Sequence, residues 1–430
     1  MAEMLEKSAV RAVAWRVLPL LFAAYFAAYI DRVNVGFASL TMDAALGLNA
    51  EQYGLAAGLF FIGYVACAVP SNLVLAKLGG RTWLPILMVV WGLASASTAW
   101  VKTPTAFYIV RFLLGIGESG LLPGLLYLMT LWFPGAYRAR MLTLLGLSTP
   151  FSIVLGSLIS GPILLMDGIW GFAGWQWLFV LQALPTIALG FLFWFALPDG
   201  PAQARWLPPA QKDWLVAQLA RERDTREQVQ RFSVRSALTS PVVLLAGLAG
   251  AGINGAAYGL ILFLPQMIHA LGVSAHMAPL VNAVPFVVVS IVMMWWAAHS
   301  DRARERNWHA AIPAAIAGLA LISCAVLTDP LAIMVALTIG LTGVFCYVSV
   351  FWAVPSAMLS GAAAAAGLAL INALSNVGSF FGPYMVGWVK NSTGNFALGI
   401  MLLGCGPLLS AVIAATLRSA RKFEPPSVSQ

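Results

Sequence analysis

The sequence predicts an all-α membrane protein of twelve transmembrane helices in two six-helix pseudo-symmetric bundles. Three observations carry that expectation. Of 430 residues, 60% are hydrophobic and only 9% charged, where a soluble globular domain carries about 25% charged residues; the mean hydropathy is +0.86. Apolar runs of about 20 residues, the length a helix needs to cross a bilayer, recur along nearly the whole chain. Two sets of six such runs flank a single polar stretch.

In order, the runs fall near 17–40, 53–75, 82–101, 105–131, 139–165 and 175–197, then 241–270, 278–299, 309–328, 331–358, 362–389 and 395–417. The expected units are therefore an N-terminal bundle (1–197), a linker (198–240) and a C-terminal bundle (241–430). The linker mixes seven Lys and Arg with Asp213, Glu222, Asp224 and Glu227, which reads as a solvated cytoplasmic segment carrying one amphipathic helix on the membrane surface and argues against a nucleic-acid partner.

Basic residues set the orientation. With both termini inside, 20 of the 24 Lys and Arg lie in cytoplasmic segments and only Lys102 and Lys390 outside, while Arg32 and Arg111 lie within spans. That asymmetry predicts a multi-pass protein with both termini in the cytoplasm. The apolar run after the charged residues 1–16 is too long for a signal-peptide core and lacks a convincing cleavage site, so no removal is expected. Cys67, Cys324, Cys346 and Cys405 fall within spans without metal-ligand spacing, and the four histidines lie at or near span ends. No nucleophile, metal cluster or cofactor motif is legible, so neither an enzyme, a cofactor nor a metal is expected.

The two halves echo each other. Gly156-Ser157-Leu158-Ile159-Ser160-Gly161-Pro162 and Gly378-Ser379-Phe380-Phe381-Gly382-Pro383 lie 222 residues apart, and glycines at such spacing let helices approach closely. Short basic turns follow the second and eighth spans, with Lys77 and Arg81 in the first and Asp301 and Arg302 in the second. A duplicated six-helix unit predicts a substrate site near the midplane between the halves, opened alternately to each side.

The spans hold four deep charges, Asp31, Arg32, Arg111 and Glu118. A charge at the bilayer centre costs on the order of 3 kcal/mol, so such residues normally mark a substrate or ion path. Arg111 and Glu118 are seven apart, which puts them on one helix face about 10 Å apart along the axis. By rise per residue, Asp31, Arg32 and Arg111 should share a depth, with Glu118 deeper. The four sum to zero with both acids ionised and to +2 with both protonated, so proton binding raises affinity for an anion, and bound anion raises proton affinity in return. The competing reading is two internal salt bridges that only lock helices. Gly115-Ile116-Gly117-Glu118-Ser119-Gly120 spells a dinucleotide fingerprint, but no strand precedes it, and helix packing explains its glycines.

Twelve spans, a basic central loop and the paired cytoplasmic turns resemble the major facilitator superfamily, with Ala76 where the first turn's signature Asp would stand. Within it, Tyr29-Ile30-Asp31-Arg32-Val33-Asn34-Val35-Gly36, Phe61-Ile62-Gly63-Tyr64 with Pro70-Ser71-Asn72, Arg111 through Glu118, and Gly174-Trp175-Gln176-Trp177 resemble the anion:cation symporters, the sugar-acid, tartrate and aromatic-acid permeases. The resemblance implies proton coupling at Asp31 and Glu118, substrate binding at Arg32, Arg111 and Tyr64, and gating by the turns at Lys77, Arg81, Asp301 and Arg302. Further substrate-binding candidates are Asn372 and Asn376, four apart on one helix face, with Asn254, Tyr258, Thr149 and Trp352.

The expected function is import of an organic carboxylate by proton symport through alternating access. The substrate would be a sugar acid, a hydroxy-dicarboxylate or an aromatic acid; the partners are the small organic anion, protons and the lipid bilayer. A monomer in a bacterial inner membrane is expected. The alternatives are an anion exchanger or uniporter, a sodium-coupled symporter, and, from a different class, a transporter-like sensor. A phosphate-ester antiporter should use a basic residue from each half, whereas Asn254 stands 222 residues after Arg32.

Overall fold

A computed structural model describes residues 2–229, 239–352 and 361–417, and every regular element among them is helical. A lipid environment requires this, because a helix satisfies its backbone hydrogen bonds within one segment. The first predicted span lies inside a longer helix, α1 (Ala2–Leu46). Its 45 residues extend about 68 Å, more than twice the hydrocarbon thickness, so the charged first turns stand outside the bilayer. Next come α2 (Ala50–Leu78) and α3 (Gly80–Ser97).

The fourth and fifth predicted spans are each two helices. Their pieces are α4 (Pro104–Glu118) with α5 (Leu121–Trp132), and α6 (Gly135–Gly146) with α7 (Ser148–Leu164). The sixth span is α8 (Gly174–Ala196), and the linker carries α9 (Pro209–Val229). The second six comprise α10 (Pro241–Ala270), α11 (Ala278–Ala303), α12 (Asn307–Ser323), α13 (Pro330–Phe351), α14 (Gly361–Thr393) and α15 (Ala397–Thr416). Among the described residues ten segments are long and apolar enough to span a membrane, and α12 and α14 occupy the positions of the ninth and eleventh predicted spans. Part of the tenth predicted span, 353–358, lies outside the described residues.

Local chemistry fixes several helix starts. Asn49 and Gln52 form a reciprocal capping box before α2, the Gln52 amide donating to Asn49 Oδ1 at 2.8 Å and the Asn49 amide to Gln52 Oε1 at 3.0 Å. Thr103 and Asp329 accept from the backbone of α4 and α13, each followed by Pro at the first helical position. Glu305 caps α12, taking the Trp308 and His309 amides and pairing with His309 Nδ1 at 2.9 Å.

The chain forms two compact units, Met1–Gln230 with Leu264–Val284, and Arg231–Phe263 with Pro285–Gln430. In the first, α2 packs on α4, α3 on α8, and α1 on both α7 and α8. In the second, α12 packs on α13 and α15. In the second unit two helices cross backbone against backbone: a Cβ on Gly378 would stand 2.0 Å from the Ala251 carbonyl oxygen, and one on Gly382 2.0 Å from that of Gly255. The repeat partner in the first half is looser, since a Cβ on Gly156 would meet only Ile30 Cγ1 at 3.7 Å.

The linker helix is fastened to the first unit by polar contacts, Glu222 accepting the Gly135 amide at 2.9 and 3.0 Å and Arg138 Nη2 at 2.9 Å, while Gln211 donates to Ser8. Among the turn residues, Arg81 reaches Asp199 at 3.8 Å, so an acid beyond α8 occupies the role that Ala76 vacates; Arg306 pairs with Asp301. Lys77 and Arg302 are exposed.

The repeat-related glycines give a paired test. Gly378→Ala should lower unfolding stability by about 1 to 3 kcal/mol through overpacking, whereas Gly156→Ala should be neutral or slightly stabilising, both read by thermal unfolding in detergent. Glu305 gives a second. Burial pushes its carboxyl up, but the hydrogen bonds from Trp308 and His309 outweigh this and hold it below its ordinary value. Its stabilisation is therefore present above the ordinary glutamate pKa and is lost as pH falls through the depressed one. Glu305→Gln should cost about 1 kcal/mol at neutral pH, with the gap to the parent closing on acidification below the ordinary range.

Candidate functional site

The charged residues of the first unit sit on α1 and α4, and glycines decide how closely their neighbours approach. A Cβ on Gly115 would lie 1.9 Å from the Phe60 carbonyl oxygen, and one on Gly63 2.3 Å from that of Phe112, so α2 and α4 cross backbone against backbone. A Cβ on Gly117 would lie 3.0 Å from Trp91 Cβ on α3. The dinucleotide-like spelling is thus a packing pattern, with successive glycines facing different helices. α4 ends at Glu118.

At this crossing Arg32 Nη2 donates to Glu118 Oε1, joining residues 86 apart. Arg32 Cζ also lies over three aromatic rings, 4.8 Å from Tyr29, 5.1 Å from Phe60 and 5.6 Å from Tyr64. Arg111 Cζ lies over Phe60 as well, at 5.2 Å. One ring therefore serves two guanidiniums, each drawn to its negative face. Glu118 lies in the field of both arginines.

Arg111 is 1% exposed, and its Nε, Nη1 and Nη2 have no hydrogen-bond partner among the described residues; the same holds for Glu118 Oε2. Buried polar groups are nearly always paired in proteins, so three orphan donors on one cation point to a ligand that supplies acceptors.

Asp31 has a different environment from the one its neighbour occupies. It accepts from Trp91 Nε1 at 3.2 Å, Ser95 Oγ at 2.9 Å and Thr186 Oγ1 at 2.7 Å, tying α1 to α3 and α8. In place of the two ion pairs of the competing reading, the four charges form one pair, one acid held by neutral donors and one cation without a hydrogen-bonded partner among the described residues. Two features lay outside the sequence reading. Phe60 is marked by nothing but its place beside Phe61-Ile62-Gly63-Tyr64, and Asp43 lay beyond the expected end of the first span. The Asp43 side chain accepts from Gln266 Nε2 at 3.0 Å and leaves Oδ1 buried without a partner. Tyr53 lies within electrostatic reach of both Asp43 and Arg111.

The remaining candidates are placed as follows. Thr149 is half-buried on α7. In the second unit Tyr258 is buried and Asn254 half-buried on α10, and Asn376 Nδ2 donates to the Asn372 carbonyl at 2.8 Å along α14. Trp352 is 38% exposed at the end of α13, its ring 5.3 Å from Phe351.

Residues 21–383 match the Major Facilitator Superfamily. The chain is 40% identical over 419 residues to a protein of Agrobacterium vitis named "Putative tartrate transporter", covering 97% of this chain and 93% of that one. It is 36% identical over 417 residues to a "Quinolone resistance transporter" of Acinetobacter baumannii, covering 96% of both. Among solved structures, the xylose transporter XylE from E. coli in a partially occluded inward-open conformation superposes with a TM-score of 0.76 at 15% identity, covering 97% of this chain and 99% of that one.

The pair and the orphan cation differ in what their loss should do. Arg32→Gln strands the Glu118 carboxylate and should cost about 3 to 5 kcal/mol, and adding Glu118→Gln should recover most of it. A double-mutant cycle on unfolding midpoints checks this; additive losses would show that the pair is not coupled.

Proposed function

The chain belongs to the major facilitator superfamily and is a multi-pass membrane transporter of small organic substrates, not an enzyme; we propose that it imports an organic carboxylate together with protons. The observation that carries this reading is the Arg111 guanidinium, buried in the first unit with all three nitrogens unpartnered. A carboxylate supplies two acceptor oxygens in the geometry of an arginine fork.

Beside it, the Arg32 to Glu118 pair is the element that a proton can switch. With Glu118 ionised, Arg32 is engaged and Arg111 stands alone. A proton on Glu118 neutralises the carboxylate and frees the second guanidinium, so that both arginines face the anion. Linkage makes the effect reciprocal, and the bound anion strengthens proton binding by the same factor. Asp31 is the second proton-coupling residue in this proposal. Its carboxylate sits where α1, α3 and α8 meet, so a change in its charge acts on their packing.

The named relative from Agrobacterium vitis supports a hydroxylated dicarboxylate as substrate. Asn254, Tyr258, Asn372, Asn376, Thr149 and Trp352 are the proposed further substrate contacts, hydroxyl- and amide-binding for the most part. Protonation from the acidic outer face suits uptake across a bacterial inner membrane with both termini cytoplasmic, by a monomer. The resistance relative makes export a second outcome to be measured, by comparing right-side-out with inverted vesicles.

Three proteoliposome measurements test the reading. Arg111→Gln should abolish binding and uptake while leaving thermal stability unchanged or higher, because it removes an unpaired buried charge. Glu118→Gln should retain substrate exchange but lose accumulation driven by a proton gradient. Parent protein that accumulates labelled tartrate, or another carboxylate, equally well when a protonophore is present would overturn the proton-coupled mechanism.

A further inference from the structure

Where α1 leaves the bilayer, the first unit contains a cavity of about 510 Å³ lined by Trp15, Arg16, Pro19 and Leu20 from α1 and by Ala196, Leu197 and Pro198 at the end of α8, with Arg205 and Trp206 from the linker closing it. Its volume lies within the range of ligand sites. It shares no residue with the charged cluster and has its own chemistry.

The lining combines cationic and aliphatic side chains. It offers two guanidiniums, and neither Arg16 nor Arg205 makes an ion pair with a carboxylate among the described residues. Arg16 is held by Trp206, its Cζ 5.1 Å from the ring centroid, and Trp206 stacks in turn on the buried Trp132 at 5.9 Å. Pro19, Leu20, Ala196 and Leu197 supply the aliphatic part. Trp15, 73% exposed, marks the level at which an indole straddles headgroups and acyl chains. Two cations and an apolar lining in one cavity, at the end of a membrane-spanning helix, are complementary to a phosphate diester carrying acyl chains. The basic face is the cytoplasmic one by the distribution of Lys and Arg, and that leaflet is rich in anionic lipid.

We propose that this cavity binds the headgroup of an anionic phospholipid, with Arg16 and Arg205 on the phosphate and an acyl chain along Leu20 and Leu197. The lipid would join the start of α1, the helix that carries Asp31 and Arg32, to the linker segment ahead of α9. The proposal is independent of what the transporter carries and rests only on the cytoplasmic placement of the N-terminus.

Native mass spectrometry of the full-length protein in detergent, titrated with phosphatidylglycerol and with phosphatidylcholine of the same acyl chains, tests it. Arg16→Gln with Arg205→Gln should weaken phosphatidylglycerol binding about thirtyfold, from roughly a fivefold contribution per basic residue, and leave phosphatidylcholine unaffected. Leu20→Trp, which keeps both charges and fills the aliphatic wall, should also weaken it. Arg140→Gln, a charge outside the cavity, should not. Unchanged phosphatidylglycerol affinity in the double variant would overturn the proposal, as would an equal loss in Arg140→Gln, which means diffuse charge attraction. Displacement of the lipid by inorganic phosphate alone, with no effect of Leu20→Trp, would show a free-phosphate site and overturn it too.

Discussion

Two guanidiniums buried within about 5 Å of the same aromatic ring repel each other and have lost their hydration. Much of the first unit answers that one electrostatic demand. Glu118 offsets Arg32 directly, Phe60 offers its face to both cations, and Tyr29 and Tyr64 add their rings to Arg32. The arrangement depends on backbone contact between α2 and α4, since any side chain at Gly115 or Gly63 would push Phe60 away from α4. What remains without a hydrogen-bond partner among the described residues is the Arg111 guanidinium. A structure selected for stability alone would have replaced it by an apolar side chain, and its retention in so dry a place is the strongest physical argument that a ligand completes the site.

Adjacent residues on a helix point about 100° apart, and Asp31 and Arg32 use that angle fully. Arg32 turns towards α2 and α4, where charge is exchanged, and Asp31 towards α3 and α8, where three neutral donors hold it. A change at either residue is therefore felt by a different pair of helices. The two neighbours thus tie α1 to two different pairs of helices without any direct bond between them.

How much of this could be read from the chain depends on the range of the interaction. Span count and length follow from hydropathy, which is local, and the helices stand where the apolar runs are. The breaks at Ser119-Gly120 and Leu147 lie within runs whose overall hydropathy reads as one span each, so the Ser-Gly and Gly-Leu-Ser-Thr-Pro breaker residues there were outweighed by their apolar surroundings. The four charges announced themselves because charge in lipid is costly. Their pairing did not: depth by rise per residue places Glu118 below Arg32, and only the reach of the arginine side chain joins them. The donors to Asp31 come from Trp91, Ser95 and Thr186, residue types too common in membrane helices to single out. Asp199 beside Arg81 shows the same limit, since an acid missing from one loop is supplied by another that follows a different helix.

The clamp formed by Glu222 on the Gly135 amide and Arg138 makes α9 part of the first unit. The midpoint of the polar stretch is then not the seam of the molecule. A chain divided for expression as two separate polypeptides should be cut beyond Val229, so that α9 stays with the helices it holds; a cut at the end of α8 would leave Arg138 and the start of α6 without their acid.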